Sequence, residues 1–322
     1  MAINETKVFA LTANKDLVKK VCERLNLEEG KVDVMHFKDG EILVEIGESV
    51  RGKKVFIIQS TCTPVTERLM ELLIAIDAFK RASASEINVI MPYYGYARQD
   101  RKAKPRQPIT SKLVADLLCT AGAKRVVTIN LHAAQIQGFF SCPADDLDAI
   151  PMFGKYFKEM IGENKDDYVV VSPDHGGTTR ARKLAEMLDV PIAIVDKRRP
   201  KPNVCEATSV IGEVKDKNCI VVDDICDTGG SLVASCNILK EFGAKDVYVS
   251  IVHPVFSGDA IDKIENSCIK KFITTDTVPL TPEKQARTTK VEVLTTAKLL
   301  ASVINSIAEH TALSDVYSPY MK

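Results

Sequence analysis

The sequence lacks several features that would assign it to a class at once. Acidic and basic residues number 43 each, so there is no surplus of positive charge of the kind that nucleic-acid binding requires. No apolar run approaches the roughly 18 residues of a membrane-spanning helix. The nine cysteines are spread along the chain without a Cys-X-X-Cys pair, a pattern that fits neither a disulfide framework nor a zinc site. The first residues also lack the charged-then-apolar pattern of a secretory signal. We therefore expect a cytoplasmic protein that binds neither nucleic acid nor membrane.

What the sequence does contain is an alternation of short β-branched runs with longer helical patterns. The length of 322 residues favours two domains, and a hydrophobic content of 45% allows each a sizeable core. Candidate strands include Val8–Leu11, Val55–Gln59, Ile87–Met91, Val126–Asn130, Tyr168–Ser172, Ile192–Val195, Cys219–Asp224 and Val247–Val252, and candidate helices include Glu67–Arg81 and Ser231–Phe242. This alternation predicts an α/β fold in which parallel-rich sheets are flanked by crossover helices.

A weak internal repeat relates the two halves of the chain. In the first half, a strand from Lys54 leads through a polar loop and a helix to the strand Glu86–Pro92. In the second half, a strand from Asn218 leads in the same way to Asp246–Pro254. The pattern fits two duplicated domains, although any two βαβ units share it. We place the boundary near Asp148–Pro151 and predict domains at residues 1–148 and 149–322.

The motif with the clearest chemistry is Val221–Ser231, in which a buried strand ends in Asp223 and Asp224 and a glycine-containing turn then opens a helix. Backbone N–H groups at a helix N-terminus, together with the Thr228 and Ser231 hydroxyls, form an anion site that suits a phosphate. The paired acids suit either ribose hydroxyls or a magnesium ion carried by a diphosphate. A capped helix after an acidic strand end is the plainer interpretation, but acids at the end of a buried strand require partners. The loop is not a Walker A motif, because no Gly-Lys-Ser/Thr follows the glycines.

Two basic, proline-containing segments, Arg98–Pro108 and Lys197–Glu206, each follow an apolar stretch. On charge alone, a solvated surface loop is the commoner interpretation. Loops that leave the carboxyl ends of parallel strands, however, form the ligand crevice of such sheets. We therefore predict that both segments contribute to a site.

The Val221–Ser231 motif resembles the PRPP-binding loop that phosphoribosyltransferases share with PRPP synthetases. Further stretches resemble motifs of the PRPP synthetase (ribose-phosphate pyrophosphokinase) family in its order, namely Phe37–Glu41, Tyr96–Asp100, Leu131–Phe140, Ser172–Gly177 and Lys197–Pro200. The resemblance extends from about Val8 to about Pro254. Within the family, the chain is most similar to the bacterial class that uses ATP, Mg²⁺ and phosphate. It implies two similar phosphoribosyltransferase-like domains, with ATP-binding segments in 1–148 and the ribose 5-phosphate site in 149–322. It also implies transfer of the β,γ-diphosphoryl group of ATP to the C1 hydroxyl of ribose 5-phosphate.

The resemblance also implies roles for individual residues. For ATP these are Phe37, Asp39 and Glu41 from a neighbouring subunit at the adenine, with Arg98, Gln99 and His132 at the rest of the nucleotide. For ribose 5-phosphate they are Arg199, Asp223, Asp224, Asp227, Thr228, Gly229, Gly230 and Ser231. Lys197 and Arg199 would be the catalytic cations, and His132 and Asp174 would serve Mg²⁺. The family assembles as a homo-oligomer, so we expect a hexamer.

The sequence departs from the family pattern at a few positions. Asn130 stands where the family usually has Asp, two residues before His132. Near the C-terminus, Ala312 and Tyr317 replace a Ser and a Phe of a stretch that helps bind the effectors phosphate and ADP, and Ala134 replaces a Ser that some relatives use there. We expect phosphate activation to be altered or weaker.

Two rival functions share parts of this evidence. A phosphoribosyltransferase that consumes PRPP would carry the Val221–Ser231 loop, but it would not require both cationic segments or a duplicated domain. A non-catalytic subunit of the same oligomer would keep the fold and lose catalytic positions. The retention of Lys197, Arg199, Asp223, Asp227 and His132 argues against the second alternative.

Overall fold

The computed structural model describes residues 5–198 and 207–321. The strands are β1 (Thr6–Ala10), β2 (Val32–His36), β3 (Ile42–Ile46), β4 (Lys54–Ile58), β5 (Glu86–Met91), β6 (Arg125–Ile129), β7 (Ala144–Leu147), β8 (Tyr168–Ser172), β9 (Ile192–Arg198), β10 (Ala207–Ile211), β11 (Asn218–Cys226), β12 (Asp246–Pro254), β13 (Ile269–Thr275) and β14 (Val291–Leu294). The helices are α1 (Lys15–Leu25), α2 (Val65–Arg81), α3 (Thr110–Ala121), α4 (Ile150–Ile161), α5 (Thr178–Leu188), α6 (Gly230–Glu241), α7 (Ala260–Glu265), α8 (Pro282–Ala286), α9 (Ala297–Glu309) and α10 (Ser318–Met321). Single 3₁₀ segments span Ala134–Phe139, Lys165–Asp167 and Leu313–Tyr317. No helix in these described ranges is long and apolar enough to cross a membrane.

The chain divides into two compact units. Unit 1 comprises Met1–Asp148, Thr277–Pro279 and Thr295–Ser318, and unit 2 comprises Ala149–Asp276, Leu280–Leu294 and Pro319–Lys322. The predicted second domain comprised all of 149–322, whereas Thr277–Pro279 and Thr295–Ser318 belong to unit 1. The reason is packing: α9 buries an apolar face that includes Leu300, Val303 and Ile304, and it packs against α1 of unit 1.

Unit 1 is built on a five-stranded parallel sheet in the order β1-β4-β5-β6-β7. Its central strands are β-branched runs without exposed side chains, because helices cover both faces of a parallel sheet. The core includes Phe9 and Phe79, whose ring centroids lie 4.5 Å apart. The antiparallel hairpin β2–β3 forms a separate two-stranded sheet.

Unit 2 is built on a seven-stranded sheet in the order β10-β9-β8-β11-β12-β13-β14, parallel except for the β10–β9 pair. After β8 the chain passes through α5 to β9 on one side, and β11 then pairs with β8 on the other side. The order of strands therefore reverses between β8 and β11. In open α/β sheets, ligands bind outside the carboxyl ends of the strands at such a switch point.

The two units share this topology. In unit 1 the chain also returns to the free edge of β1 after α1, where Val8 and Glu29 form a parallel bridge, before β4 pairs on the other side. The repeated strand–helix–strand units predicted from the sequence are confirmed as β4-α2-β5 and β11-α6-β12. The predicted α/β fold of two similar, parallel-rich domains is confirmed.

Candidate active site

The acid pair at the end of β11 is held by an arginine from the neighbouring helix. Arg180 lies in the first turn of α5, and its guanidinium contacts Asp223 Oδ1 at 2.6 Å and Asp224 Oδ1 at 3.2 Å. The backbone N–H of Asp224 also donates to Asp223 Oδ1 at 2.9 Å. Arg180 therefore serves as the partner that two acids on a buried strand require. Arg180 was not predicted as a site residue, and the only signal for it in the sequence is that the two acids need a cation.

Burial, together with the neighbouring charge of Asp224, raises the pKa of Asp223 to about 7, against the opposing effect of Arg180. The carboxyl of Asp223 is thus poised to gain or lose a proton near neutral pH. A cation, or a hydroxyl that donates to this carboxylate, would favour the ionised form. The pair is suited to receive a polyol or a bound cation, which are the two ligands that its sequence predicted.

The loop after β11 presents backbone donors at the start of α6. Gly229 caps the helix with φ +73°, in the left-handed region that favours glycine. A Cβ on Gly230 would meet open space, and Thr228, Gly230 and Ser231 are exposed. The carbonyl of Asp227 accepts the N–H of Ser257 at 2.9 Å, which fixes the loop to the segment after β12. The loop therefore has a fixed backbone and an exposed face at a helix N-terminus, where backbone N–H groups favour an anion.

The loop after β8 lies at the same edge of the sheet, because β8 and β11 are parallel neighbours. Asp174 is exposed, and one carboxylate oxygen accepts the N–H of Gly177 at 3.0 Å. His175 Nε2 lies 2.9 Å from Asp196 Oδ1, where Asp196 is 4% exposed near the end of β9. The contact joins the loop after β8 to the strand that carries Lys197. Sequence reasoning gave no role to His175 or Asp196.

The two predicted catalytic cations are placed only in part. Lys197 belongs to β9, where it pairs with Thr208 of β10. Its backbone therefore lies next to Asp196, near the carboxyl end of β9. Arg199 lies outside the described residues. Asp174, Asp223, Asp224 and the Asp227–Ser231 loop are thus gathered at the carboxyl ends of β8 and β11 in unit 2, with the Lys197 backbone at the end of β9.

The predicted adenine-contacting residues lie at the tip of the β2–β3 hairpin in unit 1. The N–H of Phe37 donates to the Glu41 carbonyl at 2.9 Å, and the N–H of Glu41 donates to Asp39 Oδ1 at 3.2 Å. Gly40 closes the turn with φ +95°. Phe37 is 55% exposed, and Asp39 and Glu41 are exposed. An exposed aromatic ring at the tip of a rigid hairpin is available for stacking, and local hydrogen bonding accounts for the turn itself.

The predicted nucleotide-binding residues Arg98 and Gln99 are exposed between β5 and α3. Thr110 Oγ1 donates to Gln99 Oε1 at 2.6 Å, and Ser111 Oγ donates to the Gln99 carbonyl at 3.1 Å. The first turn of α3 therefore fixes the position of Gln99. Nearby, Gln135 Nε2 donates to Asp100 Oδ2 at 3.1 Å, which joins this loop to the 3₁₀ segment that follows His132.

His132 is exposed just beyond β6, and Asn130 before it has a structural reason to be an amide. Asn130 adopts φ +42°, a conformation that asparagine tolerates better than most residues. Its Nδ2 donates to Asp148 Oδ1 at 3.0 Å. An ionised aspartate at position 130 could not donate this bond, and its charge would face the Asp148 carboxylate. The amide of Asn130, in place of the aspartate of the family pattern, therefore stabilises the chain at the end of β7.

Within the described residues, no group of three or more His, Cys, Asp or Glu side chains could hold a metal ion. Mg²⁺ is usually bound by one or two carboxylates together with substrate phosphates and water, rather than by a protein cage. The exposed Asp174 carboxylate, which keeps one oxygen beyond its bond to Gly177, fits that mode. His132 supplies a nitrogen, which is a less suitable donor for this hard cation.

Comparison with known proteins places the chain among enzymes of one kind. Residues 6–122 match the family model described as the N-terminal domain of ribose phosphate pyrophosphokinase, and residues 160–318 match the phosphoribosyl synthetase-associated domain. The chain is 52% identical to ribose-phosphate pyrophosphokinase 2 of Enterococcus faecalis, covering 97% of this chain and 95% of the relative. It is 52% identical to the Bacillus caldolyticus ribose-phosphate pyrophosphokinase, covering 98% of each. The crystal structure of phosphoribosylpyrophosphate synthetase from Mycobacterium smegmatis superposes with a TM-score of 0.89 at 42% identity, covering 95% of this chain and 99% of that chain.

Proposed function

Since the chain belongs to the ribose-phosphate pyrophosphokinase family, we propose that the carboxyl ends of β8, β9 and β11 form the ribose 5-phosphate site of a diphosphokinase. The protein is an enzyme that transfers the β,γ-diphosphoryl group of ATP to the C1 hydroxyl of ribose 5-phosphate, giving PRPP and AMP. The observation that carries the site assignment is the Asp227–Ser231 loop at the start of α6, with Thr228, Gly230 and Ser231 exposed, next to an acid pair with one strongly perturbed carboxyl.

In this proposal the 5-phosphate lies on the backbone N–H groups of Gly229, Gly230 and Ser231, with the Thr228 hydroxyl as a further donor. Helix N-termini bind phosphate because their N–H groups lack partners within the helix and the helix dipole favours negative charge. The ribose hydroxyls donate to Asp223 and Asp224, which Arg180 holds in place. The C1 hydroxyl then faces the diphosphate donor, and its oxygen attacks the β-phosphorus while AMP leaves.

For the nucleotide, we assign the adenine to Phe37, Asp39 and Glu41 of a neighbouring subunit, and the phosphates to Arg98 and Gln99. The exposed Phe37 ring supports the first assignment, since a stacking platform at a hairpin tip is available to a second copy of the chain. Negative charge accumulates on the equatorial and leaving oxygens during transfer. Lys197 and Arg199 are assigned to its stabilisation, because positioned cations act most strongly where charge develops.

We assign Mg²⁺ to the diphosphate oxygens, with Asp174 and His132 in supporting positions. When bound, the ion would neutralise charge on the transferred group. The carboxylate of Asp174 is oriented for that task by the N–H of Gly177. His132 is also assigned to the nucleotide, to which its ring N–H would donate.

The proposal extends to assembly, regulation and location. We propose a homo-hexamer, because an adenine site completed by a neighbouring hairpin requires more than one subunit. Phosphate and ADP are proposed as effectors, with a weaker phosphate response. In support, Tyr317 uses its hydroxyl to accept the N–H of Asp148 at 2.7 Å, a bond that a phenylalanine there could not make. We place the enzyme in the cytoplasm, and in support none of the eight cysteines in the described residues forms a disulfide in this structure.

The test is ³¹P NMR of the purified protein with ATP, Mg²⁺ and ribose 5-phosphate. AMP and a diphosphate on ribose C1 are expected, and ADP in place of AMP would contradict diphosphoryl transfer. Lys197→Ala should lower turnover at least a hundredfold, whereas Lys165→Ala, in an exposed pair with Asp189, should leave it unchanged. No reaction by the wild type under varied phosphate would favour a non-catalytic subunit, with Asn130→Asp as the first variant to make.

A further inference from the structure

A pair of thiols in unit 1 has no part in the proposed reaction. Cys119 lies near the end of α3, and Cys142 lies between the 3₁₀ segment Ala134–Phe139 and β7. Their Sγ atoms are 3.1 Å apart, although the two residues are 23 positions apart in sequence. A disulfide bond is about 2.05 Å long, so an approach of roughly 1 Å would allow the two sulfurs to bond.

Access distinguishes this pair from most other cysteines. Cys119 and Cys142 are both partly exposed, whereas five of the other described cysteines are buried, namely Cys22, Cys62, Cys219, Cys226 and Cys236. Cys268 is partly exposed as well, but its sulfur lies 3.3 Å from Asn237 Oδ1. The two residues of this pair are therefore partly open to solvent, and their sulfurs already lie in contact.

The environment also assigns different roles to the two thiols. Burial by itself raises the pKa of Cys119, but hydrogen bonds from Ser141 and Cys142 outweigh it and lower the pKa. Burial and the neighbouring Cys119 raise the pKa of Cys142 to about 12. Cys142 thus holds its proton more tightly, and Cys119 is the better source of a nucleophilic thiolate.

We propose that Cys119 and Cys142 are a dithiol modification site that closes to a disulfide by exchange with a low-molecular-weight disulfide such as glutathione disulfide. The Cys119 sulfur attacks one glutathione sulfur, which breaks the glutathione S–S bond and releases one glutathione thiol. The Cys142 sulfur then attacks Cys119 in the mixed disulfide and releases the second glutathione thiol. The two protein thiols lose two electrons and two protons, and these end on the two glutathione thiols.

The closed bond joins two elements that are separate in the chain. It would tie the end of α3 to the segment that enters β7, at the edge of the sheet of unit 1. A crosslink across 23 positions restricts the unfolded chain and so stabilises the folded one. We expect the melting temperature of the oxidised enzyme to rise by roughly 5 °C, reversibly with dithiothreitol.

The experiment incubates the folded wild-type enzyme with glutathione disulfide, blocks free thiols, and maps non-reduced peptides by mass spectrometry. A peptide that links Cys119 to Cys142, lost on reduction, is the expected result. Cys142→Ser should instead retain glutathione on Cys119, because no second sulfur is present to displace it. Cys268→Ser is the matched control, in which the linked peptide should form as in the wild type.

Two results would overturn the proposal. One is the absence of the linked peptide under conditions in which Cys268 is already modified. The other is a disulfide that pairs either residue with a different cysteine. A linked peptide without a rise in melting temperature would contradict the stabilising role of the bond. The peptide map needs only the wild-type protein, so a variant that fails to fold does not affect the outcome.

Discussion

Replacement of Arg180 by methionine tests whether the acid pair at the end of β11 depends on this cation. The substitution keeps the length of the side chain and removes the charge that lies 2.6 Å from Asp223 and 3.2 Å from Asp224. The side chains of Arg180, Asp223 and Asp224 are 16%, 26% and 6% exposed, so the acid pair and its arginine are largely buried. Removal of one partner of a buried pair costs about 3–5 kcal/mol. Because some solvent reaches Arg180 and Asp223, we expect the lower end, about 3 kcal/mol.

The cost of the substitution should depend on pH, and the sign follows from the pKa of Asp223. Burial raises this pKa to about 7, above its value in the unfolded chain, which is about 3.9. For an acid of this kind, stability is fully present below the unfolded pKa and is lost as pH rises through the folded pKa. Without Arg180 the folded pKa rises further. The penalty in Arg180→Met should therefore be larger at pH 8 than at pH 5, where the pair can take up a proton.

Thermal melts at fixed protein concentration measure this effect. A loss of about 3 kcal/mol corresponds to a decrease in melting temperature of roughly 6–12 °C for a unit of this size. Arg182→Met, an exposed change on the same helix, is the control and should have little effect. Addition of Asp223→Asn to Arg180→Met should recover part of the loss. A melting temperature within 2 °C of wild type at pH 8, or equal losses at pH 5 and pH 8, would refute the electrostatic argument (a 2 °C shift is about 0.5–1 kcal/mol).

Three further predictions concern other parts of the molecule. Gly229→Ala should cost about 1 kcal/mol and raise the KM for ribose 5-phosphate, because alanine is strained at φ +73°, whereas Gly230→Ala, which enters open space, should be well tolerated; equal effects in steady-state kinetics and melts would contradict this. Phe37→Ala should raise the KM for ATP at least tenfold without a change in melting temperature, since the ring is 55% exposed; an unchanged KM would remove it from the adenine site. Burial raises the pKa of Asp146 to about 6, so the stability of wild type relative to Asp146→Asn should fall by about 2 kcal/mol as pH rises from 4 to 7, and parallel melting curves across that range would be the contrary result.

The elements that the sequence predicted well are those with strong local patterns. The β-branched runs that became β4, β5, β11 and β12 are buried on both faces, so their composition alone indicates parallel strands. The turn at Asp227–Ser231 between a strand and a helix was predicted for a similar reason, because its glycines and hydroxyls lie next to each other in the chain. Short edge elements such as β10 and β14 carry weaker patterns and were not identified.

The partners in the site depend on the order of strands, which local sequence does not encode. Arg180 and Asp223 are 43 positions apart in the chain, and they meet only because β8 pairs with β11. The contact between His175 and Asp196 likewise requires that β9 lie on the other side of β8. The contact between α9 and α1 joins segments that are far apart in the chain. Amphipathic periodicity predicts which face of each helix is buried, but it does not predict which element that face packs against.

The packing of α9 on α1 has a consequence for the order in which the protein matures on the ribosome. Helix α1, whose buried residues include Leu17, Val18 and Val21, is made early in translation, but α9, which packs against it, spans Ala297–Glu309. In the nascent chain, the surface of α1 that α9 will cover therefore stays exposed to water while almost the whole of unit 2 is synthesised. Each large aliphatic side chain left in water forgoes about 2 kcal/mol of burial. The nascent chain should consequently be a substrate for chaperones until α9 has emerged, and unit 1 should complete its packing only then.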